Sequence, residues 1–494
     1  MLEVLLHGFL DVFRPDVFAF MLLGVLIGLI FGIIPGIGGL TALSILLPMV
    51  WGMKPEVCLV FLLSVTCATS QGGSITAILI NVPGTGPNAA TLLDGYPMAR
   101  QGKAGRALAA VLTASALGGL FGGVMMIALI PVVRPLVLSF GSPELFFLVL
   151  LGISFITAVS QGKMFKGLAS GLIGILLALF GYQSTTGIPR FTFGTEYLED
   201  GVKMILLTLG LFAFPEVIDL AVSGKKDSRA DQTVAAIGSD MLEGVKDIFR
   251  HFWLFLRCSA IGTVIGIIPG VGAEVATFVC YGHAKRTSKH PERFGHGEVE
   301  GVIAPESASN AKEGGALLTT LAFGIPGSAV MALLLGAFLV VGITPGPKML
   351  EEHLALSFSL AWTTIVANVI SSVVLLIFVR QFVKITFVDV RIMAPFILVF
   401  ATIGAYSVGG SMTDVVTAFL FTILGYGAKH LGYNRAALIL GFVLGNLAET
   451  YFLRSLNAYG ISFPLRPICM ILIIITVLGL SSDLLVKLWQ RRRG

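Results

Sequence analysis

The sequence predicts an all-α polytopic membrane protein of about 10–14 membrane segments, arranged in two related halves. Three observations predict it: a shortage of charge, apolar runs of bilayer length, and an internal repeat. Of the 494 residues, 55% are hydrophobic and only 12% charged, and the mean hydropathy is +0.92. A soluble domain carries roughly a quarter charged residues. A chain this long could bury a large core, but it lacks the charged shell that such a core would need in water. Lipid is the solvent that suits it.

A helix needs roughly 20 mostly apolar residues to cross the hydrocarbon. Candidate spans fall at 17–34, 57–80, 107–130, 144–160, 164–181, 202–222, 253–281, 314–343, 358–384, 392–409, 412–428, 434–453 and 468–489. Several are short or interrupted. The amino terminus lacks a basic start and a small-residue cleavage site, so the run from Val17 reads as the first membrane helix.

Basic residues concentrate in short loops. Arg100, Lys103 and Arg106 form one cluster; His283, Lys285, Arg286, Lys289 and Arg293 form a second; Arg491, Arg492 and Arg493 close the chain. The positive-inside rule places all three in the cytoplasm. A nucleic-acid partner is not expected, because no aromatic stacking platform is interleaved with these clusters. Cys58, Cys67, Cys258, Cys280 and Cys469 show neither metal spacing nor a disulfide framework, and in apolar runs cysteine behaves as a small hydrophobe. The seven histidines are scattered. No cofactor or structural metal is expected.

The repeat is carried by two motifs in the same order. Residues 28–39, with Pro35-Gly36 and Gly38-Gly39, resemble residues 262–273, with Pro269-Gly270 and Gly272. Residues 72–84, from Gly72-Gly73 to Pro83-Gly84, parallel residues 314–327, from Gly314-Gly315 to Pro326-Gly327, with one residue's difference in spacing. The halves are therefore read as 1–222 and 251–494, joined by a polar linker at 223–250 that contains a short amphipathic helix. Basic charge changes loops between the halves, which points to inverted topology. Five spans between the two basic loops is an odd number, so either the segment broken at Pro269 turns back on itself or one of these assignments is wrong.

A proline within a membrane helix removes a hydrogen bond and clashes with the preceding turn. Unpaired backbone is tolerated at membrane depth only inside protein or beside a wet cavity. Each Pro-Gly thus marks a stop where a helix exposes partial charge, although a single one more often only bends a helix. Half-helix amino ends attract anions and unwound carbonyls can hold sodium. Substrate contacts are accordingly expected from Gly72, Gly73, Ser74, Thr76, Asn81, Pro83, Gly84, Thr85, Ser309, Asn310, Thr319, Thr320, Pro326, Gly327 and Ser328. Contacts to a coupling ion are expected from Pro35, Gly36, Gly38, Pro269, Gly270, Gly272 and Glu274. Thr69, Ser70, Gln71, Asn88 and Ser307 supply further uncharged donors, some of which will simply join helix to helix. Glu306, Lys312 and Glu313 are ionisable at membrane depth and so are functional candidates; Glu306 and Lys312 can equally be a structural pair. Asp94 reads as a turn or helix cap as readily as a substrate contact.

These motifs carry a resemblance. Gly32-Ile-Ile-Pro-Gly-Ile-Gly-Gly39, the run from Gln71 to Gly84, the run from Ala90 to Ala99, and Pro305-Glu306-Ser307 with Asn310-Ala311 look like the large membrane subunit of the tripartite tricarboxylate transporters. The resemblance extends from Val17 to Leu480. It implies a bacterial inner-membrane carrier driven by an ion gradient, sodium by preference. It also implies two partners, a small membrane subunit and a periplasmic binding protein, and leaves room for a homodimeric complex. The implied substrates are di- and tricarboxylates and related organic acids.

Two rival classes stand beside that expectation. A stand-alone channel or exporter of organic anions would need no binding protein. An intramembrane enzyme would need a nucleophile or metal site, and neither Gly-x-Ser-x-Gly nor His-Glu-x-x-His occurs. A non-enzyme is expected.

Overall fold

The computed structural model describes residues 1–34, 38–159, 164–183, 186–223, 240–269, 272–387 and 390–477. The helices are α1 (Leu2–Val12), α2 (Pro15–Ile33), α3 (Gly39–Leu46), α4 (Pro55–Ile80), α5 (Leu92–Arg100), α6 (Ala104–Leu138), α7 (Ser142–Val159), α8 (Met164–Ala178), α9 (Met204–Thr208), α10 (Phe214–Ser223), α11 (Met241–Arg250), α12 (Phe252–Ile267), α13 (Gly272–Thr287), α14 (Glu300–Phe323), α15 (Ala329–Val340), α16 (Leu354–Val383), α17 (Val390–Ser407), α18 (Met412–His430) and α19 (Arg435–Tyr459). Among the described residues the one sheet is a two-stranded ladder, Gly181–Tyr182 against Pro189–Arg190. Pro15 and Pro55 open α2 and α4, where the missing amide proton costs nothing. Outward-facing side chains such as Leu172, Leu176, Val373, Ile377, Phe396, Val399 and Leu420 are apolar. Hydroxyls, amides and carboxylates are buried instead, the distribution expected of a chain surrounded by hydrocarbon.

Helices α4 and α14 form the centre, with nearly every residue buried. They cross antiparallel: Ser70 meets Ser309 and Ser74 meets Glu306, so one number rises as the other falls. Helix α2 lies beside α4 in parallel, at backbone contact distance. A methyl group at Gly24, Gly28 or Gly32 would strike the carbonyl oxygen of Phe61, Val65 or Thr69. Helix α12 lies on α14 in the same manner, with Gly262 over Ala308, Gly266 over Lys312, and Gly315 over Thr263. Gly28 and Gly32 thus occupy the places of Gly262 and Gly266, and Val65, Thr69 and Gly72 those of Ala308, Lys312 and Gly315. This register pairs Gly72 with Gly315 rather than Gly314, and the one-residue difference in spacing disappears.

The parallel packing of α2 on α4 forces the chain to return between them. Helix α3 and the 3-10 turn Leu47–Val50 are that return. After α12 the chain also folds back: the Cys280 thiol on α13 donates to the Cys258 carbonyl on α12 at 3.6 Å. The segment broken at Pro269 therefore turns on itself, the first of the two ways to reconcile span parity.

Both internal basic clusters lie at one end of the bundle. Asp94 accepts from the amides of Gly295, Gly297 and Glu298 at 2.8–2.9 Å and from the Tyr281 hydroxyl at 2.9 Å. Gln101 donates to the His296 carbonyl at 2.7 Å. Asp94 is thus a latch onto the 295–298 loop, not a local turn or a cap of its own helix. Arg106 joins the same face through a 2.5 Å ion pair with Asp247 on α11.

Among the described residues, fewer helices than apolar runs are long enough to cross alone. These number five: Pro15–Ile33, Pro55–Ile80, Ala104–Leu138, Leu354–Val383 and Arg435–Leu465. Helices α11 and α12 pass the same test only together and are bent by 76° at their junction. Shorter apolar helices of 10–17 residues, including Gly39–Val50 and Ala329–Val340, account for further runs. The Pro-Gly breaks interrupt two of the runs, 253–281 and 314–343, between one helix and the next. Of the expected linker, 224–239 lie outside the described residues. Its last part is α11, amphipathic, with Gly244 against the α6 backbone at Arg106 and with Leu242 and Phe249 facing outward.

The packing generates a paired prediction. Gly32→Val should destabilise the protein by about 2 kcal/mol or more, because backbone on the other side cannot yield. Gly282→Ala, with open space around it, should be neutral or stabilising by up to about 1 kcal/mol. Thermal unfolding of the purified variants checks both.

Candidate functional site

The α4–α14 crossing carries a polar seam. At one end is Glu306, fully buried. One carboxylate oxygen accepts from Ser74 at 2.9 Å, Thr91 at 2.6 Å and Asn88 at 3.3 Å; the other accepts from Ser115 of α6 at 3.0 Å. Four neutral donors hold a carboxylate with no cation among them. Asn88 is held in turn by the segment after Pro83. Its side-chain oxygen accepts from the Thr85 amide at 3.1 Å and from the Thr85 hydroxyl, closing a capping box on the 3-10 turn Gly86–Ala89. Glycine is required beneath it, because a methyl group at Gly73 would overlap the Asn88 oxygen.

Further along the seam Gln71 on α4 donates to both the backbone and side-chain oxygens of Asn368 on α16, at 3.1 and 3.0 Å. It accepts from Ser371 and Ser372 at 2.8 and 2.9 Å. Asn310 donates to the Asn368 side chain at 2.7 Å. One turn beyond, Lys312 and Glu313 form a buried ion pair at 2.7 Å. Among the described residues no group of three His, Cys, Asp or Glu side chains is disposed to hold a metal.

Each Pro-Gly break is followed at once by a new helix start: Gly39 of α3, the 3-10 turn at Gly86, Gly272 of α13 and Ala329 of α15. These starts form a contiguous series. Gly38 faces the Gly84 carbonyl, Gly39 touches Val330, and the Glu274 carboxylate lies directly over Gly86. The breaks of one half therefore abut those of the other. Both central helices end in the left-handed conformation, at Asn81 (φ 57°) and Gly324 (φ 70°), which lets the chain reverse. The Gly84 amide then reaches back to the Gly73 carbonyl at 3.3 Å.

The expected substrate residues divide by this geometry. Gly72, Gly73, Ser74, Thr85, Ser309 and Asn310 belong to the seam or support it. Thr76 and Thr320 bond back to Gly73 and Ala316, and Thr319 reaches the Ile267 carbonyl on α12 at 3.0 Å. Ser328 caps α15 by accepting from the Met331 amide at 3.3 Å. Gly84 packs on Gly73, Gly327 packs on Ala316, Pro326 is buried, and Pro83 is exposed. Asn81 has an exposed side chain at the helix end, and its conformation accounts for its residue type. Of the expected ion contacts, Gly38, Pro269, Gly272 and Glu274 line the helix starts; Pro35, Gly36 and Gly270 lie outside the described residues. Glu306 pairs with hydroxyls and an amide, not with Lys312. The contributions of Asn368, Ser115 and Thr91 were not legible, because nothing local distinguishes a polar residue facing the bundle from one that bonds its own helix.

A bundle with an apolar exterior, a polar seam and helices that stop and restart within it is a polytopic membrane protein with an interrupted-helix interior. The chain belongs to the tripartite tricarboxylate transporter TctA family, whose model matches residues 18–440, and is thus a large transporter subunit. It is 36% identical over 454 residues to an uncharacterized 52.8 kDa protein of the TAR-I ttuC′ 3′ region of Agrobacterium vitis, covering 91% of this chain and 89% of the relative. It is 38% identical over 195 residues to an uncharacterized protein of the TAR-II ttuC′ 3′ region of the same organism, covering 40% of this chain and 81% of the relative. No solved structure matches it.

Two predictions follow from the geometry. Glu306→Ala strands four buried donors and should cost about 3 kcal/mol, measured by thermal unfolding. Asn81→Gly should retain stability and transport, whereas Asn81→Val, β-branched in a left-handed position, should lower both.

Proposed function

We propose that this chain is the translocating subunit of a secondary importer that moves di- or tricarboxylates, or related organic acids, down a sodium gradient. A periplasmic binding protein delivers the substrate, and a small membrane subunit and the lipid bilayer complete the assembly, with a homodimer of the complex compatible with it. The observation that carries the reading is the meeting of four helix starts beside a seam of neutral donors. Helix amino ends carry partial positive charge, which attracts a carboxylate without a permanent counter-ion that would slow its release. The carrier lies in a bacterial inner membrane, with the end bearing Arg100, Lys103, Lys285 and Arg286 in the cytoplasm.

The two halves, 1–222 and 251–494 about the linker 223–250, are read as inverted repeats. The matched glycine contacts and the antiparallel crossing of α4 and α14 support this, because equivalent helices of opposed direction need a two-fold axis in the membrane plane. Substrate then sits between repeats, and alternate exposure follows from moving one against the other.

The test is uptake of radiolabelled carboxylate into proteoliposomes holding both membrane subunits, with the binding protein outside. Uptake should collapse when the sodium gradient is dissipated or the binding protein omitted. Uptake that persists without the binding protein would identify a stand-alone channel or exporter instead.

A further inference from the structure

The seam is saturated at one end and not at the other. Glu306, Asn310 and Glu313 recur at four- and three-residue spacing, which puts them on one face of α14. Both oxygens of Glu306 are engaged. Asn310 is 2% exposed and its amide nitrogen is used by Asn368, but its side-chain oxygen is buried with no donor. Glu313 is 9% exposed; one oxygen holds the Lys312 ammonium, and the other is likewise buried with no donor.

Neighbouring donors are already committed. The Asn368 amide donates to the Thr364 carbonyl at 2.7 Å, the Gln71 amide to Asn368, and Ser371 and Ser372 to Gln71. The Ser70 and Ser309 hydroxyls pair with each other at 3.2 Å. Two buried acceptors one helical turn apart are left without a hydrogen-bond donor, in a place where leaving an acceptor bare is costly.

We infer that Asn310 Oδ1 and Glu313 Oε2 are protein ligands of a site for a small, hard monovalent cation, sodium being the one the proposed coupling supplies. Oxygen-only ligands select a hard ion. Lys312 already balances the charge of Glu313, so the empty site is neutral and one bound cation makes it singly positive. A divalent ion would leave a larger uncompensated charge in a medium that penalises it. The order of loading follows: the cation binds first, and the positive site it creates then attracts a carboxylate. This inference rests on the ion-coupled reading above, but moves the coupling ion from the Pro-Gly breaks and Glu274 onto the seam.

The test uses the purified full chain, with NaCl exchanged for choline chloride at constant ionic strength. Melting temperature is followed alongside sodium-dependent uptake. Sodium should stabilise the wild type, and Asn310→Ala and Glu313→Gln should each raise the half-maximal sodium concentration by about tenfold or more, as loss of one ligand to a charged group implies. Lys312→Met removes the built-in counter-ion and should lower that concentration; it serves if either other variant fails to purify. Wild-type sodium dependence in these variants would overturn the site while leaving ion coupling intact, and would mean that water alone meets the two oxygens. Uptake and stability of the wild type that ignore sodium altogether would overturn the coupling reading itself.

Discussion

Buried polar groups in this protein must find partners within the chain, and the antiparallel contact of α4 with α14 is where that requirement is met. No water in hydrocarbon can relieve an unmade hydrogen bond. The two helices bury hydroxyls, amides, two carboxylates and an ammonium, and almost every residue on them is buried. Their neighbours must therefore approach closely enough to exclude gaps, and the glycines of α2, α6 and α12 allow it. Gly118 and Gly122 of α6 lie over the carbonyls of Ser307 and Ala311, much as Gly262 and Gly266 of α12 lie over Ala308 and Lys312. Small residues are the means by which membrane helices reach such contact.

The same requirement explains what the sequence disclosed. Pro-Gly pairs mark the breaks because proline and glycine act locally, through one lost hydrogen bond and one freed dihedral. The turning back at Pro269 was legible as one of two ways to reconcile the basic loops with the spans between them. Span number was not, since an apolar run has the same composition whether it crosses once or folds into a hairpin. Asn81 and Asn88 show the limit within the site. Both are asparagines near a Pro-Gly, but one takes a left-handed backbone at a helix end while the other turns its amide to Glu306. Only the fold separates those uses. Asn368, far from any motif, enters the seam solely because α16 crosses α4 there.

The two broken loops share a design and differ in setting. Each begins with a left-handed residue, passes through Pro-Gly and closes with a hydroxyl cap, Thr85 or Ser328. After Pro326 the chain enters α15 directly, and Ile325 is buried with Val149 of α7 and Leu444 of α19. After Pro83 it forms a short 3-10 turn whose Asn88, with Thr91 just beyond, binds Glu306 across the seam, and Val82 remains 37% exposed. One loop is fixed by apolar packing, the other by hydrogen bonds to a single carboxylate. Apolar packing is non-directional and hard to undo piecemeal, whereas a few directional bonds can be exchanged for others of similar strength. On the proposed carrier reading, the loop after Pro83 is the one suited to change partners.

Charge balance makes a related point about release. A fixed, unpaired cation in the bundle would hold a carboxylate strongly, since attraction in a dry interior is little screened. It would then also oppose letting go. Here Lys312 is already paired with Glu313, and Glu306 is solvated by neutral donors, so no formal positive charge on the seam is left free. On the proposed carrier reading, attraction for an anion comes from helix starts, whose partial charges are modest, or from a mobile cation that arrives and leaves with the substrate. A site of that kind binds when the ion is present and relaxes when it departs, which is the behaviour a gradient-driven carrier requires.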